Sequence, residues 1–449
     1  MPLIIIFIHF KRYKTWGKSF TCHRRLLPPN YADGIAQPRI AYDGGKLPNA
    51  RDISSQLLPD VDVKDHRLTS MTMAFGQFII HDITRTLPLA NDIRCCPSKS
   101  AKHPECFAID IVRSDDILVK YFNQTCINFV RSIVCNPCAL GPREQQNQAT
   151  HTFDMSHMYG LRLNDSLALR SFRGGKLRGS FTSSYPKEEL PPKMTREDPG
   201  CNVRPKPPRF KCFETADGVR ASQHPALQSL HTAFHRRHNQ HAEALSRINP
   251  HWNDEKLYQE SRHLMIAEVS AMIYGQYLSA IFGRRMMKHF RLGLNKHGYT
   301  RYDSKLNPST FQEFITASGR FGHSQINDRF RVLFGDDGKT YEYNLRDNFF
   351  ETTIVSLGHV SRICFFSEKI SKILIPDIQS SGVLKGLASD PTQASDNYFV
   401  NDIKNALYRL RRDRLGRDLP AFNIQRGREH GIPGYIYYLD FCFGFVNVF

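Results

Sequence analysis

Within the apolar run MTMAFGQFIIHDI, Gln77 and His81 stand four residues apart and Asp82 follows at once. On a helix, residues four apart share a face, whereas the next residue is turned by about 100°. An imidazole and an amide therefore address one cavity while the carboxylate addresses a different partner. An imidazole at its ordinary pKa of about 6.5 takes up a proton and hands it back near neutral pH. Arg220, in ETADGVRASQHPAL, offers a permanent charge for a developing anion. His323, in FITASGRFGHSQI, is a second isolated histidine on an apolar background. In THTFDMSHMYG, the oxygen-bearing residues Thr150, Thr152, Asp154 and Ser156 alternate, which suits a hard cation such as calcium. It is not an EF-hand, having one carboxylate and no glycine at the sixth place. Taken singly, each histidine is better explained by a satisfied core position, and the oxygen row equally well by a solvated loop.

A competing cluster is His231, His235, His238 and His241, at helical spacing in HTAFHRRHNQH. Two histidines at i, i+4 can bind zinc, but the hydrolytic motif needs Glu directly after the first. Here Thr232 and Arg236 follow, and the adjacent Arg236 and Arg237 repel a cation.

The 449 residues carry a net charge of +18, which favours weak attraction to polyanions or matrix. No zinc-finger spacing or stacking motif accompanies the charge, so no specific nucleic-acid function is expected. The eleven cysteines fit a disulfide-bearing, secreted protein better than a zinc ribbon, since CNPC (Cys135 to Cys138) has no second half. The sequons at Asn123 and Asn164 agree with export. The N-terminal LIIIFIHF is a poor signal peptide, with no basic residue before it, and no stretch is expected to span a bilayer.

These residues need a scaffold. Residues 15–65 read as an irregular, loop-built entry. A helix is predicted over Thr69–Leu87, followed by a cysteine-bearing, loop-rich segment over 91–150. The Pro- and charge-rich stretch 182–211 reads as an exposed excursion. Long helices follow from Pro225, where proline is tolerated in the first turn, and over Leu257–Gly283. Further helices are predicted at about Thr310–Ile326, 346–357 and 398–411. RVLFGDDGKTYEYN is a hairpin signal. The expectation is a mainly α, single large domain with few short strands.

Seven stretches, in order from Thr15 to Tyr435, resemble the animal-type haem peroxidase family. They include GQFIIHDITRT, GPREQQNQATHTFDMSHMYG, CFETADGVRASQHPALQSLHTAFHRRHN, GRFGHS and LPAFNIQRGREHGIPGY. The resemblance implies a haem peroxidase domain over 15–435, with flanks 1–14 and 436–449 outside the match. It implies haem b and calcium as cofactors, and hydrogen peroxide with phenolic, tyrosyl or small-anion donors as substrates. His81 would be the base that shuttles the peroxide proton, with Arg220 stabilising the departing oxygen and Gln77 positioning water or a small anion. His323 would ligate the iron, Asn423 would accept its other ring N–H, and Arg320 would meet a haem propionate. Asp82, Thr150, Thr152 (through its carbonyl), Asp154 and Ser156 would surround calcium. Cys201–Cys212 would close one loop, and Cys95, Cys96, Cys106 and Cys126 would pair among themselves. Many members attach haem through two ester bonds from carboxylates; here Ile80 and Gln223 stand at those positions, so haem is expected to be non-covalent. The same departures motivate an alternative, a catalytically weak haem-binding or adhesion protein.

Overall fold

The computed structural model describes residues 16–444 apart from 89–92, 99–101, 115, 137–139, 183–186, 196–200, 202–210, 296, 301, 335–338, 357, 361–374, 379 and 410–415. The apolar run 3–10 lies outside the described residues. Helix α1 (Ala50–Leu57) begins at Asn49, whose side chain accepts from the N–H groups of Arg51 and Asp52. Helix α2 (Ser70–Ile83) carries Gln77, His81 and Asp82. It stops short of the predicted Leu87 because Thr84 is extended (φ −140°, ψ 129°), with its hydroxyl donating to the Ile80 carbonyl at 2.9 Å. A four-residue helix, α3 (Ser156–Tyr159), follows the row of oxygen-bearing residues.

Helix α4 (Pro225–Ile248) starts with proline in its first turn, as predicted. The predicted helix over Leu257–Gly283 forms, with a π turn inside it. It comprises α5 (Asp254–Met272), a π turn over Ile273–Tyr277, and α6 (Leu278–His289), inside which Gly283 adopts φ 72°, ψ 163°. The π turn brings Tyr277 against α2, its ring 5.7 Å from that of Phe75. By length and composition the run Asp254–His289 meets the requirement for a membrane span, contrary to the expectation of none. On α5, however, Leu257, Tyr258, Met265 and Val269 are buried, and α5 packs along α4.

The core lies where α2, α4, α5 and a later helix meet. Phe78 stacks on Phe234 at 4.8 Å, and Met73, Leu227, Leu230, Met265, Val383 and Leu387 complete the same apolar cluster. Burying each such side chain contributes about 1.5–3 kcal/mol. The predicted hairpin forms, with Arg329–Phe334 antiparallel to Lys339–Asn344 and Tyr341 opposite Val332. Other strands are two to six residues long, among them a three-stranded sheet in which Glu144–Asn147 lies between Thr21–Cys22 and Val134–Cys135.

The predicted helix over Thr310–Ile326 is interrupted. Helix α7 (Gln312–Thr316) ends at Ala317 (φ −129°, ψ −83°), and a 3₁₀ turn over Ser318–His323 takes over. The chain folds back so closely that a Cβ at Gly319 would lie 2.7 Å from the Phe314 carbonyl. The helices expected at 346–357 and 398–411 shrink to short turns at Leu345–Asp347, Thr353–Ser356 and Asn401–Lys404. After Lys404 the chain leaves helical geometry to bridge Leu407 with Arg417. Part of the expected exposed excursion is packed inside: Leu190 is buried with Phe213 and Val355.

Helix α8 (Ser380–Ser389) packs on α2 and α4, and helix α9 (Leu419–Glu429) on α1. Buried Arg51 ties the last pair together, donating to Asp116 at 2.8 and 3.1 Å and to Asp418 at 2.6 Å. Asp418 is also the N-cap of α9, accepting from the Ala421 N–H.

Among the described residues the disulfides are Cys95–Cys106, Cys96–Cys126 and Cys201–Cys212, in line with the expected groupings, together with Cys22–Cys135. Half of CNPC thus pairs with a cysteine far away in sequence, and Cys138 lies outside the described residues.

Gly76 has a clear reason to be glycine: a Cβ there would lie 2.5 Å from the Tyr277 hydroxyl. Gly76→Ala should lower stability by about 1–3 kcal/mol by overpacking. Gly76→Ala/Tyr277→Phe should recover part of that loss in urea denaturation. An unchanged midpoint in the single variant would refute the contact.

Candidate active site

One cavity is lined by α2, the 3₁₀ turn around Arg220, the π turn and the turn around His323. Gln77, His81, Arg220, Arg320 and His323 all face it. The two histidines are distant in sequence and come from different elements, yet border the same space.

On the α2 side, Asp217 organises the wall. Its carboxylate accepts from His81 Nδ1 at 3.0 Å and from Arg220 Nε at 2.8 Å. Because a carboxylate only accepts, His81 carries its proton on Nδ1 and keeps Nε2 as a free acceptor. Arg220 is held further by the carbonyls of Thr84 (2.9 Å) and His81 (3.1 Å). Burial alone would raise Asp217, but Arg220 and His81 hold it well below the usual carboxylate range. His81 does not keep the ordinary value anticipated from sequence: burial and then Arg220 lower it to about 4. It is neutral, and a competent proton acceptor, at any pH above that.

Asp217 was not singled out from the sequence. The available signal was a carboxylate three residues before Arg220, the spacing that brings side chains together in a 3₁₀ turn, which forms at Gly218–Ser222. His224 was also missed. Its Nε2 meets Gln77 Oε1 at 2.9 Å, while Gln77 Nε2 donates to Gln223 Oε1 at 2.7 Å. Gln223 in turn donates to the Tyr408 hydroxyl. Gln77 thus borders the cavity with both ends of its amide engaged. Ile80 lines the cavity as well.

Across the cavity, the half-buried His323 is lowered to about 3 by desolvation and then by Arg320, so its ring is neutral, as metal ligation requires. Asn423 meets it at 2.9 Å, but with its amide nitrogen. The expected direction is reversed because Arg320 donates to Asn423 Oδ1 at 2.6 Å. The other partner of Arg320 is the Ile315 carbonyl (2.8 Å). Among the described residues no carboxylate forms an ion pair with Arg320, and burial lowers its guanidinium to about 10. A cation facing a cavity with only neutral partners fits a ligand that brings its own carboxylate, as haem does. A neutral imidazole on the same wall supplies the matching iron ligand.

Behind α2, the oxygen-bearing residues converge. Thr150 Oγ1 lies 2.8 Å from Asp154 Oδ1, 3.0 Å from Ser156 Oγ and 3.4 Å from the Thr152 carbonyl. Ser156 Oγ is 3.0 Å from Asp82 Oδ1, and the Asp82 carboxylate accepts from the Met155 and Ser156 N–H groups at 2.8 and 2.6 Å. Burial and the neighbouring Asp82 raise the Asp154 carboxyl. Two carboxylates and three neutral oxygens in one place are a donor set for a hard cation.

The four helical histidines on α4 diverge. His231 packs against Phe78 (ring centroids 5.1 Å) and His235 approaches Glu189 at 3.7 Å. His238 bridges the Tyr159 hydroxyl and the Gly175 carbonyl, and His241 meets Glu268 at 3.1 Å.

The desolvated histidines set an acid limit on the fold. His81, His151, His238 and His430 are lowered to about 4, and His224 and His323 to about 3, in each case chiefly by burial. The unfolded chain, with histidines near pKa 6.5, binds more protons than the folded one between about pH 4 and 6.5. The stability from these groups is fully present above that window and is lost as pH falls through it. The urea midpoint should therefore drop from pH 7 to pH 5; a flat or rising midpoint would contradict this.

The model of the family described as animal haem peroxidase matches residues 10–445. The chain is 34% identical to the chorion peroxidase of Drosophila melanogaster, over 95% of this chain and 51% of that protein. It is 32% identical to heme peroxidase 2 of Caenorhabditis elegans (94% and 56%) and 31% identical to mouse myeloperoxidase (96% and 59%). The chain thus spans little more than half the length of these relatives. Among solved structures, peroxidase A of Dictyostelium discoideum shares the fold with a TM-score of 0.72 at 24% identity, covering 94% of this chain and 74% of that one. The fatty acid alpha-dioxygenase of Arabidopsis thaliana shares it at 0.64 and 16% identity (95% and 62%). Matched over almost its whole length, the chain belongs to the animal haem peroxidase family.

Proposed function

We propose that this chain is a haem-dependent peroxidase that reduces hydrogen peroxide and oxidises phenolic, tyrosyl or small-anion donors. The observation that carries this is one cavity bordered by two neutral imidazoles, His81 and His323, with the Arg220 guanidinium beside the first. When bound, haem supplies the electrons that O–O cleavage consumes. The chain's own work is positional and acid–base. His81 Nε2 accepts a proton from peroxide and returns it to the departing oxygen, while the Asp217 carboxylate steadies the transient imidazolium. Arg220, clamped by Asp217 and two carbonyls, presents fixed charge to that oxygen without reorganising. Gln77, held by Gln223 and His224, keeps an amide at the cavity wall for water or a small anion.

On the opposite wall, His323 would ligate the iron and Arg320 would receive a haem propionate, with Asn423 orienting the His323 ring. Asp82, Thr150, the Thr152 carbonyl, Asp154 and Ser156 would hold calcium, which would pin the end of α2 next to His81. Four disulfides among the described residues and exposed sequon asparagines, Asn123 and Asn164, support a secreted protein.

The test is a Soret band in the purified protein together with peroxide-dependent oxidation of a phenolic dye. His81→Ala should keep the band and slow the reaction with peroxide by about 10²–10⁴-fold. A full Soret band without turnover in the unaltered chain would instead favour a haem-binding or adhesion role. That second possibility draws on Ile80 and Gln223, which border the cavity where ester-forming carboxylates are expected.

Neither an alkyl group nor an amide forms an ester, so haem is held here by His323, by propionate contacts and by packing. Acidic organic solvent should extract all of the haem as free haem. Haem that stays with the polypeptide would refute non-covalent attachment.

A further inference from the structure

Beyond the cavity, the segment Phe282–Leu294 combines two features that water alone does not reward. Its large apolar side chains are exposed: Phe282 by 50%, Met286 by 42%, Phe290 by 58% and Leu294 by 57%. Interspersed with them, Arg284, Arg285, Lys288 and Arg291 are exposed as well. The sequence contains no Asp or Glu between Glu268 and Asp303, so nothing acidic on this stretch offsets the charge. Scattered surface apolar residues need no explanation, but a run of them set among unopposed cations does.

The segment is built, not frayed. Met287 is buried and anchors it to the body of the protein. The Phe290 N–H donates to the Met286 carbonyl and the Leu292 N–H to the Met287 carbonyl, both at 2.9 Å, around a left-handed Arg291 (φ 54°). Leu294 folds back onto the π turn so closely that a Cβ on Gly275 would lie 2.9 Å from its Cδ1. The exposed side chains are therefore held in place on an ordered surface.

We propose that this surface docks onto an anionic lipid bilayer. Charge complementarity and apolar content select that partner together. A polyanionic glycan would satisfy the four cations but would leave Phe282, Met286, Phe290 and Leu294 in water. An anionic bilayer takes both, with cations at the headgroup phosphates and apolar side chains at the acyl boundary. Tyr299 and Tyr302, both almost fully exposed just beyond, have the amphipathic rings that settle at a headgroup layer. The contact lies in the plane of the interface and does not cross the membrane. The run Asp254–His289 is broken at Gly283, and its first half is committed to packing along α4. The overall charge of +18 adds long-range attraction to the same surface.

The test is sedimentation of the purified full chain with vesicles of phosphatidylcholine alone and of phosphatidylcholine mixed with phosphatidylserine. The chain should bind the mixed vesicles and bind the neutral ones far more weakly. Arg284→Glu/Arg285→Glu/Lys288→Glu should weaken binding to the mixed vesicles on the order of a hundredfold. Phe282→Ser/Phe290→Ser, which keeps every charge, should weaken it by about tenfold or more while leaving retention on heparin unchanged. Met286→Trp should show a blue-shifted emission when mixed vesicles are added. Failure of the unaltered chain to sediment with the mixed vesicles would overturn the proposal. So would vesicle binding by Phe282→Ser/Phe290→Ser equal to that of the unaltered chain, which would identify a polyanion site, or an unshifted tryptophan.

Discussion

The α2 wall of the cavity depends on a single buried carboxylate. Asp217 stands between the imidazole of His81 and the guanidinium of Arg220 and accepts from both. Without it, the half-buried Arg220 would have only carbonyl partners, and its field would bear unopposed on His81. The same carboxylate selects the His81 tautomer. One residue thus sets protonation, orientation and charge balance at once.

Two further constraints hold that wall in place. Asp82, adjacent to His81 in sequence but on another face of α2, accepts from the backbone of Met155 and Ser156. The helix end is thereby attached to the loop that carries the proposed calcium ligands. On the other side, the π turn presses Tyr277 against Gly76, leaving no room for a side chain at that point of α2. Movement of His81 along or around the helix axis is opposed from both directions. The facing wall is less settled in its polar pairing. Arg320 relies on an amide and a carbonyl, and Asn423 gives its oxygen to Arg320 and its nitrogen to His323. That wall has spare charge for a carboxylate-bearing ligand to absorb, which is why it complements haem.

Much of the scaffold was legible in the sequence where local chemistry decides the backbone. Pro225 marks the first turn of α4, and the turn residues after Phe334 define a hairpin with the anticipated partners. Legibility failed where apolar spacing continued through a break. The pattern from Thr310 to Ile326 reads as one helix, yet the chain reverses at Ala317 so that Gly319 can approach the Phe314 carbonyl. Beyond Lys404 the helix gives way because a bridge to Arg417 competes for the backbone. Cys22–Cys135 was equally hidden, since its two halves are separated by 113 residues.

By itself, the sequence determined the chemical repertoire and the family. The order of its motifs, the acceptor and donor types at 77, 81, 220 and 323, and the absence of carboxylates at 80 and 223 are all one-dimensional facts. Only the tertiary structure decided which nitrogen of His81 is free, how far burial and Arg220 lower its pKa, and which way Asn423 faces its histidine. It also decided that a broken helix leaves a cationic, apolar surface uncovered. These outcomes depend on desolvation and on the placement of charges from remote segments, and neither quantity exists until the chain has closed around them.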